Sequence, residues 1–253
     1  MRGRICGYTA KAGVKMAVAV VMGMTLASCG AIEIDNQARR DGEPSESSSE
    51  SEVGTPTKGN DGRMFQPEGH EGLWFETEPA DPWERYVWLS QKYVGDPVVL
   101  GQLEEGDAAA PFVGEPDICS DSVVERMGEL GFEEEPGMNE EQIYTCDFTV
   151  HSNGANYFPT ELYIDMLFPG NAFQATPVQM KLGPDSDRIL KRFPDQSGDL
   201  ECAASASVGE STAHILVTND AGFRSGGFGD SCRRAYFSFW ILKNIGVLEG
   251  PND

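Results

Sequence analysis

Apolar and polar residues alternate along two runs near the middle of the chain. From Ile143 to Val150, Tyr144, Cys146, Phe148 and Val150 share one side, and Leu162, Ile164, Met166 and Phe168 repeat the pattern after a polar loop containing Asn153-Gly154. A period of two is the mark of a half-buried strand, so these runs predict an antiparallel pair. Leu200–Val208 and Ala213–Thr218 flank Gly209-Glu210 and predict a second hairpin. Helical spacing takes over elsewhere. Ser120 to Leu130 places Val123, Val124, Met127 and Leu130 on one face, offers Ser122 and Glu125 as a capping-box pair, and stops at Gly131. Asp185 to Phe193 predicts a short helix in which Ile189, Leu190 and Phe193 share a face. Asp230 is expected to cap a last helix with the stripe Cys232, Ala235, Tyr236, Phe239 and Leu242, ended by Gly246. The order helix, strands, helix, strands, helix describes an α+β fold: an antiparallel sheet covered on one face by helices, over residues 116–253.

Upstream of this domain the pattern changes twice. Residues 65–115 concentrate aromatic side chains, among them Trp74, Phe75, Trp83, Tyr86, Trp88 and Tyr93. Asp81 followed by Pro82 suits the cap and first position of a short helix through Leu89. Such a set serves as a sugar- or peptide-binding platform, with Trp74, Trp83 and Trp88 as ligand-binding candidates, or as a segment packed on the core, which is the commoner use. From Asp35 to about Met64 the chain is Ser, Glu, Gly, Pro, Thr and Asn, typified by Ser45-Glu46-Ser47-Ser48-Ser49-Glu50. With little to bury and like charges throughout, residues 29–64 are expected to form a disordered tether. A flexible chain of thirty residues spans roughly 30 Å.

The first 28 residues read as an address. Arg2, Arg4, Lys11 and Lys15 precede the apolar run Met16–Ala27, and Leu26-Ala27-Ser28-Cys29 follows. A basic start, a short apolar run and small residues before the break describe a secretory signal. The run is too short for a membrane-spanning helix, which needs roughly 20 residues. Leu26-Ala27-Ser28-Cys29 resembles the lipobox of bacterial lipoproteins. That resemblance implies cleavage before Cys29, a diacylglyceryl group on its thiol, and a domain anchored at the extracytoplasmic face of the cell membrane.

Charge narrows the partners. The chain holds 19 basic and 41 acidic residues, a net −22. Loss of the four basic residues of the signal leaves 15 against 41, or −26. So acidic a surface repels phosphate backbones and excludes general nucleic-acid binding. It also repels anionic lipid, so attachment is expected to rest on acyl chains, at about 0.8 kcal/mol per buried CH₂. A cell-envelope protein or polymer is the expected partner class.

Cys6 leaves with the signal and Cys29 is taken by lipid, leaving Cys119, Cys146, Cys202 and Cys232. In an oxidising compartment an even set implies disulfides. Of three connectivities, Cys119–Cys146 with Cys202–Cys232 is preferred, because each joins a helix to a nearby strand through a loop of about thirty residues, a closure contributing on the order of 3 kcal/mol. No Cys-x-x-Cys is present and no histidine stands at ligand spacing from a cysteine, so neither a metal nor another cofactor is implied.

Asp117-Ile118-Cys119 opening a helix that ends Leu130-Gly131-Phe132, then Tyr144-Thr145-Cys146-Asp147-Phe148, the strand cysteine Cys202, and Asp230-Ser231-Cys232 starting the last helix together resemble a family of small actinobacterial lipoproteins with a four-cysteine domain of unknown function. The resemblance spans about residues 115–248 plus the lipobox and tether. It implies a secreted, membrane-tethered, non-catalytic α+β domain and supplies no catalytic residues.

Enzyme signatures are weak. Gly209-Glu210-Ser211-Thr212-Ala213 echoes a nucleophile elbow but sits in an expected hairpin turn. His70 lies at the tether edge, His151 at a strand end, and His214 within a strand, as a cross-strand partner. Glu133-Glu134-Glu135 with Glu140-Glu141 reads as a solvated acidic loop and lacks the order of a calcium loop. Gly226-Gly227-Phe228-Gly229 shares only its glycines with a phosphate loop. The expected function is therefore a non-catalytic binding or accessory module. The alternative is a hydrolase-like envelope enzyme whose groups converge only in space.

Overall fold

The structure, a computed structural model, describes residues 54–106, 110–137, 139–140, 143–150, 160–167, 176–194, 200–219 and 227–251, all within the unit Ser49–Asp253. The signal segment, Cys29, His151 and the Asn153-Gly154 loop lie outside them. Among the described residues the order is β1 (Thr57–Lys58), β2 (Met64–Phe65), α1 (Pro82–Ser90), α2 (Asp121–Leu130), β3 (Glu133–Glu135), β4 (Asn139–Glu140), β5 (Ile143–Val150), β6 (Thr160–Leu167), β7 (Thr176–Pro177), α3 (Ser186–Ile189), β8 (Leu190–Pro194), β9 (Leu200–Val208), β10 (Ser211–Asn219), α4 (Gly227–Ile245) and β11 (Gly250–Pro251).

The main sheet is antiparallel, in the order β3-β5-β6-β10-β9-β8-β7, with β4 pairing β5 and β11 pairing β9. Both expected hairpins form: β5 against β6, and β9 against β10 across Gly209-Glu210. Register aligns the apolar positions into rows. Cys146, Ile164, Ile215, Ala204 and Leu190 are successive cross-strand neighbours, as are Tyr144, Met166, Ala213 and Ala206, and all are buried. A one-residue slip in any strand would turn its whole set to the other face, so this match fixes the pairing. α4 packs on β9 and β10, α1 on α4, and α2 on β3. The helices thus cover one face, as the sequence pattern predicts.

Both edges resist further pairing. β3 is three exposed glutamates and β7 ends in Pro177. Edge charge and an edge proline both discourage strand addition.

Four local expectations change. The expected tether of residues 29–64 carries structure at its end, where β1 pairs with β2 in a small hairpin that runs on to Phe65. α2 starts two residues before the expected box, with Ser120 at the N-cap position, so Ser122 and Glu125 fall inside the first turns and no capping box forms. Gly131 ends it as expected, at φ 96°, a left-handed conformation that only glycine adopts without strain. The helix over 185–193 shrinks to one turn, because Leu190 pairs with Ala204 and draws Leu190 to Pro194 into β8. α4 begins at Gly227, so Asp230 sits in its first turn and pairs with Arg234 at 2.6 Å instead of capping.

Two disulfides staple helices to strands. Cys119–Cys146 joins the entry of α2 to β5, and Cys202–Cys232 joins β9 to α4. α4 is buried nearly all round, with Phe237, Trp240 and Ile241 sealed as well as the expected stripe. The aromatic segment supplies the second cover. In α1, Asp81 accepts from the backbone N–H groups of Trp83 and Glu84 and Pro82 takes the first position, while Trp83 and Val87 point into the core.

Candidate functional site

Alternation has a second consequence: whatever lies between the apolar positions faces the side of the sheet away from the helices. Across β5, β6, β10 and β9 the register sets Thr145, Asp165, His214 and Ser205 in one row. The next row holds Glu135, Asp147 and Tyr163, and the one beyond it Thr149 and Glu161. This face is mixed, carrying these polar rows together with Ile143, Leu167 and Leu216, where the other is apolar.

Ser205 and His214 meet directly, with Oγ 3.2 Å from Nδ1. Both are sealed, at 3 % and 5 % exposure, and burial holds the imidazole neutral by pushing its pKa from 6.5 down to about 4. A hydroxyl beside a neutral imidazole with an acid one strand away has the composition of a catalytic set, but its placement differs. A nucleophilic serine stands on a sharp turn with its oxygen open to substrate, whereas Ser205 is mid-strand and covered. An imidazole with a pKa near 4 is also a weak base at neutral pH. His214 is the cross-strand partner that its position in the sequence predicts.

Asp147 is more perturbed than its half-buried setting suggests. Its pKa rises from 3.8 to about 6, chiefly by burial; a hydrogen bond from Thr145 opposes the rise and the nearby Glu161 adds to it. Its Oδ1 is buried without a hydrogen-bond partner. Beside it the Tyr163 hydroxyl donates to Glu161, and Thr149 donates to Glu135 at 3.2 Å. Asp147, Glu161, Tyr163 and Asp165 are all half-buried, so this strip, next to the exposed Glu135, reaches solvent. Among the described residues no group of three His, Cys, Asp or Glu side chains is placed to hold a metal ion.

The three tryptophan candidates are separated. Trp83 is a core residue, 8 % exposed, packed edge-on against Tyr86 and tilted against Phe132. Trp88 is half-buried five residues later on the same helix, about 140° around it at 100° per residue. Trp74 sits on the segment before α1, donating its indole N–H to the Met64 carbonyl at 2.9 Å and meeting His70 edge to face. They do not share one helix face. The segment packs on the core: Phe75 and Tyr86 lie against it, and Tyr93 is inside it.

The remaining candidates resolve simply. Glu133–Glu135 is an edge strand, not a loop, and Glu140 lies in β4. Gly227, Phe228 and Gly229 form the first turn of α4. Ser211 opens β10 directly after the hairpin turn, with no helix behind it. Sequence reasoning missed Gln91, Asp147, Glu161, Tyr163, Asp165 and Ser205. For all but Gln91 the signal was available, since the alternation that marks one face of β5, β6 and β9 also marks the other.

No protein-family model matches the chain, and no curated protein or solved structure shows significant similarity to it.

Proposed function

We propose that the chain is a lipoprotein of the cell envelope, anchored through acyl groups on Cys29 at the extracytoplasmic face, whose stapled α+β domain is a non-catalytic binding or accessory module. The observation that carries this reading is the pairing of all four cysteines downstream of Cys29 into two disulfides. Such a framework suits an exported domain and is rare where thiols are kept reduced. The basic, short apolar start ending in Leu26-Ala27-Ser28-Cys29 supports the same compartment, as does the resemblance to small actinobacterial lipoproteins. Mass spectrometry of the mature N-terminus from a detergent fraction tests it: acylated Cys29 is expected. An unmodified N-terminus at another residue in soluble medium overturns it.

Binding is favoured over catalysis because the Ser205–His214 pair is sealed while the carboxylate strip beside it reaches solvent. The partner class is an envelope protein or polymer, met through this strip and not through Trp74, Trp83 and Trp88 together. Cross-linking in envelope extract, comparing wild type with Asp147→Asn/Glu161→Gln/Asp165→Asn, is expected to capture a partner that the variant loses. Equal capture by both rejects the strip as the binding surface.

The second reading, a hydrolase-like enzyme, rests on the 3.2 Å Ser205–His214 contact. A fluorophosphonate probe separates the two readings. Labelling of the wild type that Ser205→Ala abolishes assigns an enzyme; no labelling is the outcome expected here.

A further inference from the structure

Residues 63–76, from the second strand of the β1–β2 hairpin towards α1, form a strap across α4, and its fastening contains one unusual contact. At its start Arg63 pairs with Glu76, the Met64 N–H donates to the Glu76 carbonyl at 2.7 Å, and the Trp74 indole closes back on Met64. At its far end Gln91, fully buried, holds the backbone of Phe75 from both sides. In the amide orientation that satisfies both groups, its nitrogen donates to the Phe75 carbonyl at 3.0 Å and its oxygen accepts from the Phe75 N–H at 2.7 Å. Between these points Gly72, at φ 145°, crosses the Trp240 ring so closely that a Cβ would lie 2.3 Å from a ring carbon. Only glycine passes there.

His70 lies in this crossing, its ring 5.1 Å from that of Trp74. Its Nε2 is buried and has no hydrogen-bond partner. The charged group acting on it is Lys243 on α4, which is itself faced by Glu71 on the strap and Asp185 ahead of α3. Lys243 stands 5.7 Å over the Trp240 ring. Glu71 and Asp185 both act to keep that ammonium charged against its burial.

We infer that the strap of residues 63–76 is a pH-responsive clasp, released from α4 when His70 takes up a proton beside Lys243. Protonation places an N–H on a buried nitrogen that has no acceptor, and a second positive charge beside Lys243. Both effects act on the docked strap and vanish when it lifts, because water then solvates the imidazolium. Burial and, after it, Lys243 hold the His70 pKa below its ordinary 6.5. Docking is therefore strongest above that value and weakens as pH falls through the depressed one. Release uncovers the Trp240 ring and frees the chain ahead of α1, while the sheet and both disulfides stay in place. The inference is independent of how the chain is anchored.

Hydrogen exchange by mass spectrometry on the full chain, at pH 7.5, 6.5, 5.5 and 5.0 and corrected for the intrinsic pH dependence of exchange, tests it. Opening of residues 63–76 is expected to increase several-fold on acidification, with β5, β6 and β10 unchanged. His70→Gln removes the titrating group and is expected to flatten that response; Lys243→Gln removes the opposing charge and is expected to reduce it while preserving the fold. A pH-independent strap overturns the inference. So does a His70→Gln variant that keeps the full acid response of the wild type.

Discussion

Replacing Cys202 and Cys232 together by alanine removes the staple between the centre of the sheet and the helix that covers it. The sequence separation is 30 residues. The loop-closure entropy returned to the unfolded chain is then about 3.6 kcal/mol at 25 °C. Cys119–Cys146, with a separation of 27, gives nearly the same entropy. The two staples differ in packing. Cys202 and Cys232 are 3 % and 0 % exposed, so the double alanine variant also leaves two gaps in the core, each costing roughly 1 kcal/mol. At the other staple only Cys146 is sealed and Cys119 is half-buried. Urea unfolding is expected to show a loss of about 5.5 kcal/mol for Cys202→Ala/Cys232→Ala and about 1 kcal/mol less for Cys119→Ala/Cys146→Ala. That difference is comparable to the error of linear extrapolation, so the ranking is better read from kinetics. A thiolate must reach a sulfur to reduce a disulfide. Under native conditions a mild thiol reductant is expected to open Cys119–Cys146 well before Cys202–Cys232, followed by alkylation and peptide mapping. A cost below about 2 kcal/mol for losing Cys202–Cys232 would refute the staple argument. Equal or reversed reduction rates would refute the argument from access.

Three further outcomes are expected. His214 and Asp147 oppose each other in acid: the depressed His214 pKa removes stability as pH falls from 6.5 towards 4, on the order of 3 kcal/mol in full, whereas the raised Asp147 pKa restores stability as pH falls from 6 towards 3.8. Asp147→Asn is therefore expected to be more stable than wild type at pH 7 and to lose that advantage by pH 4, measured by urea midpoints; a pH-independent difference rejects the linkage. Asp81→Ala is expected to cost about 1–2 kcal/mol in thermal or urea unfolding, because Asp81 both caps α1 and pairs with Arg233 at 3.0 Å. Gln91→Ala is expected to cost roughly 2–4 kcal/mol, since it leaves the Phe75 N–H and carbonyl without their buried partner, and proteolysis ahead of α1 reports the loosened strap.

The parts of the fold legible in the sequence are those where a single local pattern decides. Tyr144, Cys146, Phe148 and Val150 repeat every second residue over eight positions, a length at which no helical reading competes, and they form one face of β5. Ile189, Leu190 and Phe193 are too few to decide. Their spacing fits a helix, and the pairing of Leu190 with Ala204 turns all but the first into strand. α4 fails at its start for a related reason. Gly227 and Gly229 are poor helix formers, so local propensity places the cap at Asp230. The disulfide at Cys232 and the packing of α4 on β9 and β10 carry the helix one turn further back. The strap was illegible because its fastening is not local: Gln91 reads as a surface residue until its partner, Phe75, sixteen residues earlier, is brought beside it.

The same distinction governs the candidate site. Alternation places Thr145, Asp147, Glu161, Tyr163, Asp165, Ser205 and His214 on one face, but not which of them meet, because that depends on the relative register of four strands. Pairing β10 against both β6 and β9 brings His214 between Asp165 and Ser205, residues 49 and 9 positions away. Once they meet, burial decides the chemistry. Ser205 and His214 are closed off and the imidazole is held neutral, which serves the sheet as a satisfied cross-strand pair. One row along, Asp147 remains half-buried with its pKa near 6 and one oxygen without a partner. A carboxyl in that state is destabilised when ionised, so positive charge brought beside its half-buried side chain is stabilising and lowers the pKa. On the proposed reading, the strip beside the histidine, not the histidine itself, is where a partner would gain binding energy.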